Sequence, residues 1–484
     1  MNMLFVWIYS RLMTERSFFI LILVNCWRRF LALTYLPGHS NGQGCDAFSD
    51  RFVYKMPWIV EVCFSVLSEG GNKVMTQSNS SADVIVIGGG VVGCAVFRRF
   101  CLMGARAVLL EKGGDILSGA SKANSALLHT GFDAPPDSLE LACMQAGYRE
   151  YLAIHQKMNL PLLETGAIVI AWNDEQFAAL AGIVKVAHQN GVMDVRQIDS
   201  QEIYQREPHL SPGAMGGVIV PGESVIDPWS TPLAYLVQGV KHGGRYHFNC
   251  GVRHAGFNDG QWTLETEKGT FNARLVINCA GNHGDHVDAM WREPEFEIRP
   301  RKGQFLVYDK PAAEKITAII LPVPTAITKG VLLSKTIFGN LILGPTAEEQ
   351  TDRDKAEVDE EKLKELMEKG CRLLPSLADY SVTATYAGLR PATEKKEYRI
   401  LDYPEKQWIT AGGIRSTGLT SALGIAAHIE SLYRQNFAPL FALDPQGNFS
   451  GPPCLCCPNT SQGITPARAT VGLSATANWL PAGR

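Results

Sequence analysis

Residues 83–112, DVIVIGGGVVGCAVFRRFCLMGARAVLLEK, read without a break as strand, glycine turn, helix, second strand and acidic residue. Asp83 to Ile87 is a short apolar run suited to a buried parallel strand, and Gly88, Gly90 and Gly93 supply the spacing G-x-G-x-x-G. Each glycine has its own task. Gly88 permits the tight turn, Gly90 lets a pyrophosphate approach the backbone, and Gly93 lets the helix lie close on the strand with its N-terminal amides facing the phosphates. Glu111 ends the second strand, Arg106 to Leu110, about twenty positions past Gly90, where a carboxylate accepts hydrogen bonds from ribose hydroxyls. Strand, helix and acid together make this a dinucleotide-binding βαβ unit.

The chain of 484 residues is long enough for two or three domains, and its 46% hydrophobic content is that of a globular enzyme. A net charge of −3, with no basic cluster interleaved with aromatics, argues against a nucleic-acid partner. Cys94, Cys101, Cys143, Cys250, Cys279 and Cys371 lie in apolar or small-residue contexts without C-x-x-C spacing. They read as buried free thiols of a cytoplasmic protein, and no metal site is expected.

The two ends differ from the middle. Residues 1–74 are apolar and basic at first and then irregular, and they are expected to be a non-native or disordered extension. Met75 opens a short polar lead into the first strand and reads as the true start, and Glu69-Gly70-Gly71 would be encoded by the purine-rich codons of a ribosome-binding site. The competing reading takes Ser17 to Trp27, flanked by arginines, as an anchor or signal, and so allows peripheral association at the inner face of a membrane. Eleven residues are too few to span a bilayer as a helix. Residues 436–484 are rich in Gly, Pro, Ser and Thr and read as a disordered tail. Cys454, Cys456 and Cys457 lack a fourth cysteine after them or a nearby His to complete a metal site.

After the second strand the chain runs GGDILSGASKANSALLHTGFDAPPD, rich in small and hydroxyl residues, where a nicotinamide domain would continue with alternating strands and helices. This points to FAD, with Ser118, Gly119, Ser121, Asn124 and Ser125 small enough for close approach. Two later segments return to the same domain. FNCGVRHAGF, which contains Val252, leads through a hairpin to a buried strand ending Asn278-Cys279-Ala280-Gly281, where Ala280 and Gly281 allow backbone near the adenine half. The second, KQWITAGGIRSTGLTSALG, reads as strand, Gly412-Gly413 turn and a helix from Thr417. The free amides around Gly418, Leu419 and Thr420 face the flavin pyrimidine edge and stabilise an anionic reduced ring.

These blocks and their order, over about Asp83 to Arg434, resemble the D-amino-acid-oxidase-like superfamily of FAD oxidoreductases. Within it, SGASKANSALLHTGFDAPPDSLE is similar to the glycerol-3-phosphate dehydrogenase and L-2-hydroxyglutarate oxidase branch. The implied fold is α/β, a Rossmann-like FAD-binding domain of the two-dinucleotide-fold type with an inserted α+β substrate domain on a mostly antiparallel sheet. Residues 75–150, 245–293 and 386–435 are assigned to the first, and residues 151–244 and 294–385 to the second.

The superfamily places an arginine at Arg390 in AGLRP, at a strand end before a proline, to bind a substrate carboxylate through its planar fork. Arg415 in GGIRSTG lies in the turn before the last helix and is a second anion ligand. Lys302 in RPRKGQF adds a cation for phosphate. His129 in LLHTG is the base that takes the hydroxyl proton. His283 and His286 are expected to cap the next helix. The expected reaction is oxidation of a small anionic secondary alcohol to a ketone, with reoxidation by a quinone, a carrier protein or oxygen. An amine or amino-acid oxidase on the same scaffold, and a non-catalytic flavin-binding protein, are the alternatives.

Overall fold

The computed structural model describes residues 81–324 and 330–438, so the readings made for residues 1–74 and for Cys454, Cys456 and Cys457 lie outside the described residues. Strand β1 (Ala82–Ile87), helix α1 (Val91–Leu102) and β2 (Ala107–Leu110) follow the opening motif in order. They are followed by α2 (Leu139–Ile154), β3 (Arg245–His247), β4 (Gly269–Asn278), β5 (Trp408–Gly412) and α3 (Gly418–Leu432). The pairings β3–β2, β2–β1, β1–β4 and β4–β5 are all parallel, with Val84 to Ile87 against Leu275 to Asn278 and against Ala107 to Leu110. β1 and β2 are buried at every position, as strands covered on both faces must be. A hairpin of Val252–Asn258 and Gln261–Thr266 extends the sheet from the first half of β4, and Arg399–Tyr403 pairs with β5.

Asp83, with no exposed side-chain surface, ties the start of this sheet together. It accepts from the Arg106 amide and guanidinium and from Arg274 at 2.8 Å. Burial pushes its carboxyl up, but those hydrogen bonds and the Arg106 charge outweigh burial and hold it below the usual range.

A second sheet follows the order Glu348–Glu349, Arg299–Tyr308, Leu341–Gly344, Leu332–Lys335, Ile319–Pro322, Ala167–Ala171, Gly216–Val220, Arg196–Asp199, with Val382–Ala392 also pairing Arg299–Tyr308. Among the described residues its pairs are antiparallel except Ile319–Pro322 with Ala167–Ala171. Its core of Ile168, Ile170, Leu306, Leu333 and Leu343 is separate from the nucleotide-domain core of Val84, Val86, Phe97, Phe100 and Leu109. The strand carrying Arg390 does not stop before Pro391. It runs to Ala392, because Pro391 faces Pro300 and neither ring needs the amide hydrogen the other lacks. Cys94, Cys101, Cys143, Cys250 and Cys279 are buried free thiols, and Cys371 is half-buried.

The outer side of β4 and β5 is locked by Asp288. Its carboxylate accepts from Asn278 at 2.8 Å, Thr410 at 2.6 Å, the Trp408 indole at 3.2 Å and Arg292 at 2.7 Å. Trp408 in turn packs with Trp262 and Trp291, the three rings meeting edge-on or tilted with centroids 4.7 to 5.4 Å apart. Asp288→Ala takes the carboxylate from Arg292 and leaves the buried Thr410 hydroxyl without an acceptor, while Asn278 keeps the Gly284 carbonyl and Trp408 keeps Thr410, and a loss of about 3 kcal/mol in urea unfolding is expected. A change below ~1 kcal/mol would show the network to be dispensable.

Candidate active site

The glycine turn behaves as its spacing requires. A Cβ at Gly88, where φ is +106°, would meet the Cys279 carbonyl oxygen at 2.5 Å, and one at Gly93 would meet the Gly88 oxygen at 1.9 Å. The α1 N-terminus is capped by Ser121, whose hydroxyl accepts from the Val91 amide at 3.1 Å and lies 3.2 Å from a Cβ built on Gly90. Glu111 is buried, with one oxygen accepting from the Gly89 amide at 2.6 Å and the other from the Gly113 amide at 2.7 Å. Each carboxylate oxygen keeps a lone pair for a ribose hydroxyl.

Beside Glu111, residues 249–252 run along the end of β2. The Cys250 amide donates to the Glu111 carbonyl at 2.9 Å, which brings half-buried Val252 into the same neighbourhood. Ala280 and Gly281 follow β4, and Gly281, at φ +57°, has nothing within 4 Å of a built Cβ.

The loop of residues 117–129 is braced by its own side chains. Ser118 donates to the Asp115 carbonyl at 2.7 Å, while Asn124 donates to the Ser121 carbonyl and accepts from the Ala126 amide. Ser125 is half-buried. Gly119 has open space where a side chain would be. The loop ends on α3, where the Thr420 hydroxyl accepts from the His129 amide at 3.0 Å and donates to the Leu127 carbonyl. Thr417, the residue before α3, turns its side chain to Tyr398 and Glu140 and leaves the helix amides without a side-chain cap. Gly413 is in the left-handed region at φ +64°, as is Arg415 at φ +57°, and Leu419 is half-buried in the first turn.

The strand Val382–Ala392 lies across this loop. Tyr386 donates to the Asn124 carbonyl at 2.8 Å, and a Cβ on Gly388 would meet the Ala123 carbonyl at 2.3 Å. Arg390 lies two residues on, on the same face. Its guanidinium packs over Gly303, where a Cβ would be 2.4 Å from Nη2, and its polar contacts are the carbonyls of Arg301 and Thr346, both at 3.4 Å. Burial first, then the charges of Arg301 and Arg415, push its pKa down to about 10. A guanidinium still holds its proton at neutral pH, so the direction marks a cation set among cations.

Lys302 does not share this face. Arg301, Gly303 and Phe305 stand opposite Arg390, Gly388 and Tyr386, so Lys302 points to the other side of its strand, where it pairs with Glu348 at 3.2 Å. The cation from that segment on the Arg390 face is Arg301, 3.3 Å from Glu349. His283 caps no helix with its side chain and instead meets Asp354 at 3.0 Å and Lys112 at 2.9 Å.

His129 has a partner that no local pattern signals. Its Nδ1 lies 2.7 Å from Glu223, in the turn after Gly216–Val220, and the other oxygen of Glu223 accepts from the Thr130 amide at 2.7 Å and hydroxyl at 2.8 Å. No side-chain surface of Glu223 is exposed, against 21% for His129. Among the described residues no group of His, Cys, Asp and Glu has the arrangement of a metal site, and no helix is long and apolar enough to cross a membrane.

Comparison with known proteins agrees with this geometry. The chain is 29% identical over 348 residues to a glycerol 3-phosphate dehydrogenase of Caloramator mitchellensis, covering 72% of each. It is 26% identical to a glycerol 3-phosphate oxidase of Mycoplasma pneumoniae, over 71% of this chain and 92% of that one. An L-2-hydroxyglutarate dehydrogenase of Indibacter alkaliphilus is 27% identical over 54% of this chain and 67% of its own. In fold, the chain superposes on dithionite-reduced L-alpha-glycerophosphate oxidase from Mycoplasma pneumoniae with FAD bound. The TM-score is 0.68 and the identity 23%, over 73% of this chain and 95% of that one. The open flank of Gly281, the glycine cradle and Glu111 fit such a cofactor. Residues 83–432, from the first residues of β1 to the end of α3, match the DAO family, described as FAD dependent oxidoreductase, and the chain belongs to that family.

Proposed function

We propose that the chain oxidises a small anionic secondary alcohol, glycerol 3-phosphate or a 2-hydroxy acid such as L-2-hydroxyglutarate, to the ketone. The observation that carries this reading is Arg390, a cation whose hydrogen bonds among the described residues go to carbonyls, on the strand face laid over the loop of residues 117–129, with Arg301 and Arg415 near enough to depress it. Of these three guanidiniums Arg301 is paired with Glu349 at 3.3 Å, and the cations of Arg390 and Arg415, with no ion pair among the described residues, favour an anionic ligand over a neutral alcohol.

FAD would be held by the turn at Gly88, Gly90 and Gly93, by Glu111, by the segment Ser118, Ser121, Asn124 and Ser125, by Val252, Ala280 and Gly281, and by Gly413 and Thr417 to Thr420. It would supply a two-electron acceptor for the hydride of the carbinol C–H bond. Arg390 and Arg415 bind and orient the anionic group. His129 takes the hydroxyl proton as the C=O bond forms. Lys302, turned to Glu348, acts at most through the strand it braces. The electron acceptor, a quinone, a carrier protein or oxygen, is left open by these residues.

Anaerobic mixing with glycerol 3-phosphate, L-2-hydroxyglutarate, glycerol, glycine and D-amino acids tests the reading through loss of flavin absorbance. Fast bleaching by the phosphate ester or hydroxy acid, and only slow bleaching by glycerol, is expected. Bleaching by amino acids alone would move the chain to amine oxidation, and bleaching by none would remove the alcohol-oxidising role.

A further inference from the structure

We propose that Glu223 is the positioning residue that makes His129 a base, by fixing which ring nitrogen carries the proton. The argument rests on the role given to His129 above. The Glu223 carboxylate has three hydrogen-bond partners among the described residues, and two of them, the Thr130 amide and hydroxyl, donate to one oxygen. An ionised carboxylate has only acceptors to offer, so His129 Nδ1, 2.7 Å from the other oxygen, carries its hydrogen. The neutral imidazole then keeps its lone pair on Nε2, the nitrogen able to take a proton from a hydroxyl.

The pair also compensates charge. When the ring gains that proton, the resulting imidazolium faces a carboxylate with no exposed surface, so the new charge is stabilised without water. The backbone holds both partners still. The His129 amide is bound by Thr420 on α3, and the Glu223 carbonyl accepts from the Gly166 amide at 2.9 Å. The negative charge of Glu223 is felt at Tyr148 on α2, whose phenol is pushed up by burial first, then by Glu223, Asp194 and Glu164.

Glu223→Gln separates tautomer control from packing. The glutamine oxygen keeps the Thr130 donors, while its NH2 donates toward Nδ1. That places the ring hydrogen on Nε2 and removes the base. In the flavin-loaded full chain, with the substrate that bleaches wild-type protein, kcat for flavin reduction is expected to fall about 30-fold with KM unchanged. Glu223→Asp keeps an ionised acceptor but draws it back from the ring, so it should be intermediate, down about fivefold.

A Gln variant within twofold of wild-type kcat overturns the proposal. So do Gln and Asp variants that fall equally with raised KM, which would mark Glu223 as packing only. Should the Gln variant not load flavin, the Asp variant decides alone, and wild-type kcat there overturns the proposal. If no alcohol bleaches wild-type protein, the reading of the reaction fails instead, before any variant is compared.

Discussion

Gly93→Ala is expected to yield a folded chain that purifies almost free of flavin, with the ratio of flavin to protein absorbance below about a tenth of wild type. The added Cβ would lie 1.9 Å from the Gly88 oxygen and 3.0 Å from its carbonyl carbon, far inside van der Waals contact. Neither side can yield cheaply. The Gly88 amide is bound to the Leu110 carbonyl at 2.8 Å, which fixes the turn to β2, and the Cys94 amide is bound to Gly90 at 2.9 Å, which fixes the first turn of α1. The whole helix must therefore withdraw from β1, and its N-terminal amides withdraw with it from where phosphates bind. Gly182→Ala is the control. It lies within the helix Asp174–Gln189 with nothing within 4 Å of a built Cβ, so it should load flavin normally and be slightly more stable. Normal flavin content in Gly93→Ala would remove close helix–strand packing as the basis of binding.

The same contrast explains what was legible in the sequence. The βαβ unit could be read because strand, turn, helix and acid are contiguous, and each glycine answers a local steric demand. The returns at β4 and β5 could be read because a buried parallel strand is a short apolar run wherever it falls. Lys302 and Arg301 could not be told apart in the sequence because the period along a strand is two. A reading that finds a basic strand in RPRKGQF still has to choose a face, and the choice between Arg301 and Lys302 is set by the register with Val382–Ala392. Glu223 gave no signal, being a lone acid in a turn 94 residues from His129. Only the antiparallel trio Leu127–Leu128, Ser224–Ile226 and Leu162–Glu164 brings it to the imidazole. The parallel pairing of Ile319–Pro322 with Ala167–Ala171 was hidden for the same reason, since the sequence between them holds no local trace of it.

Arg390→Met should lower kcat/KM for the anionic substrate by about 10³-fold, with most of the loss in KM and flavin content unchanged, corresponding to about 4 kcal/mol of lost transition-state stabilisation. Methionine keeps much of the apolar stem, so the packing against Gly303 survives while the fork is lost. The size follows from where the cation stands. An exposed guanidinium would be screened by water and worth little. Arg390 is half-buried among carbonyls and positive charges, and an arriving anion relieves repulsion that burial has already imposed. Arg301→Met should cost less, about tenfold, because part of its charge is already spent on Glu349 at 3.3 Å. A neutral alcohol offers nothing to the fork, so its weak turnover should fall by no more than about twofold in either variant. Should the variant lose both substrates equally, Arg390 would be holding the strand over the loop of residues 117–129 rather than the anion. The discriminating ratio, anionic over neutral kcat/KM, would then stay at its wild-type value.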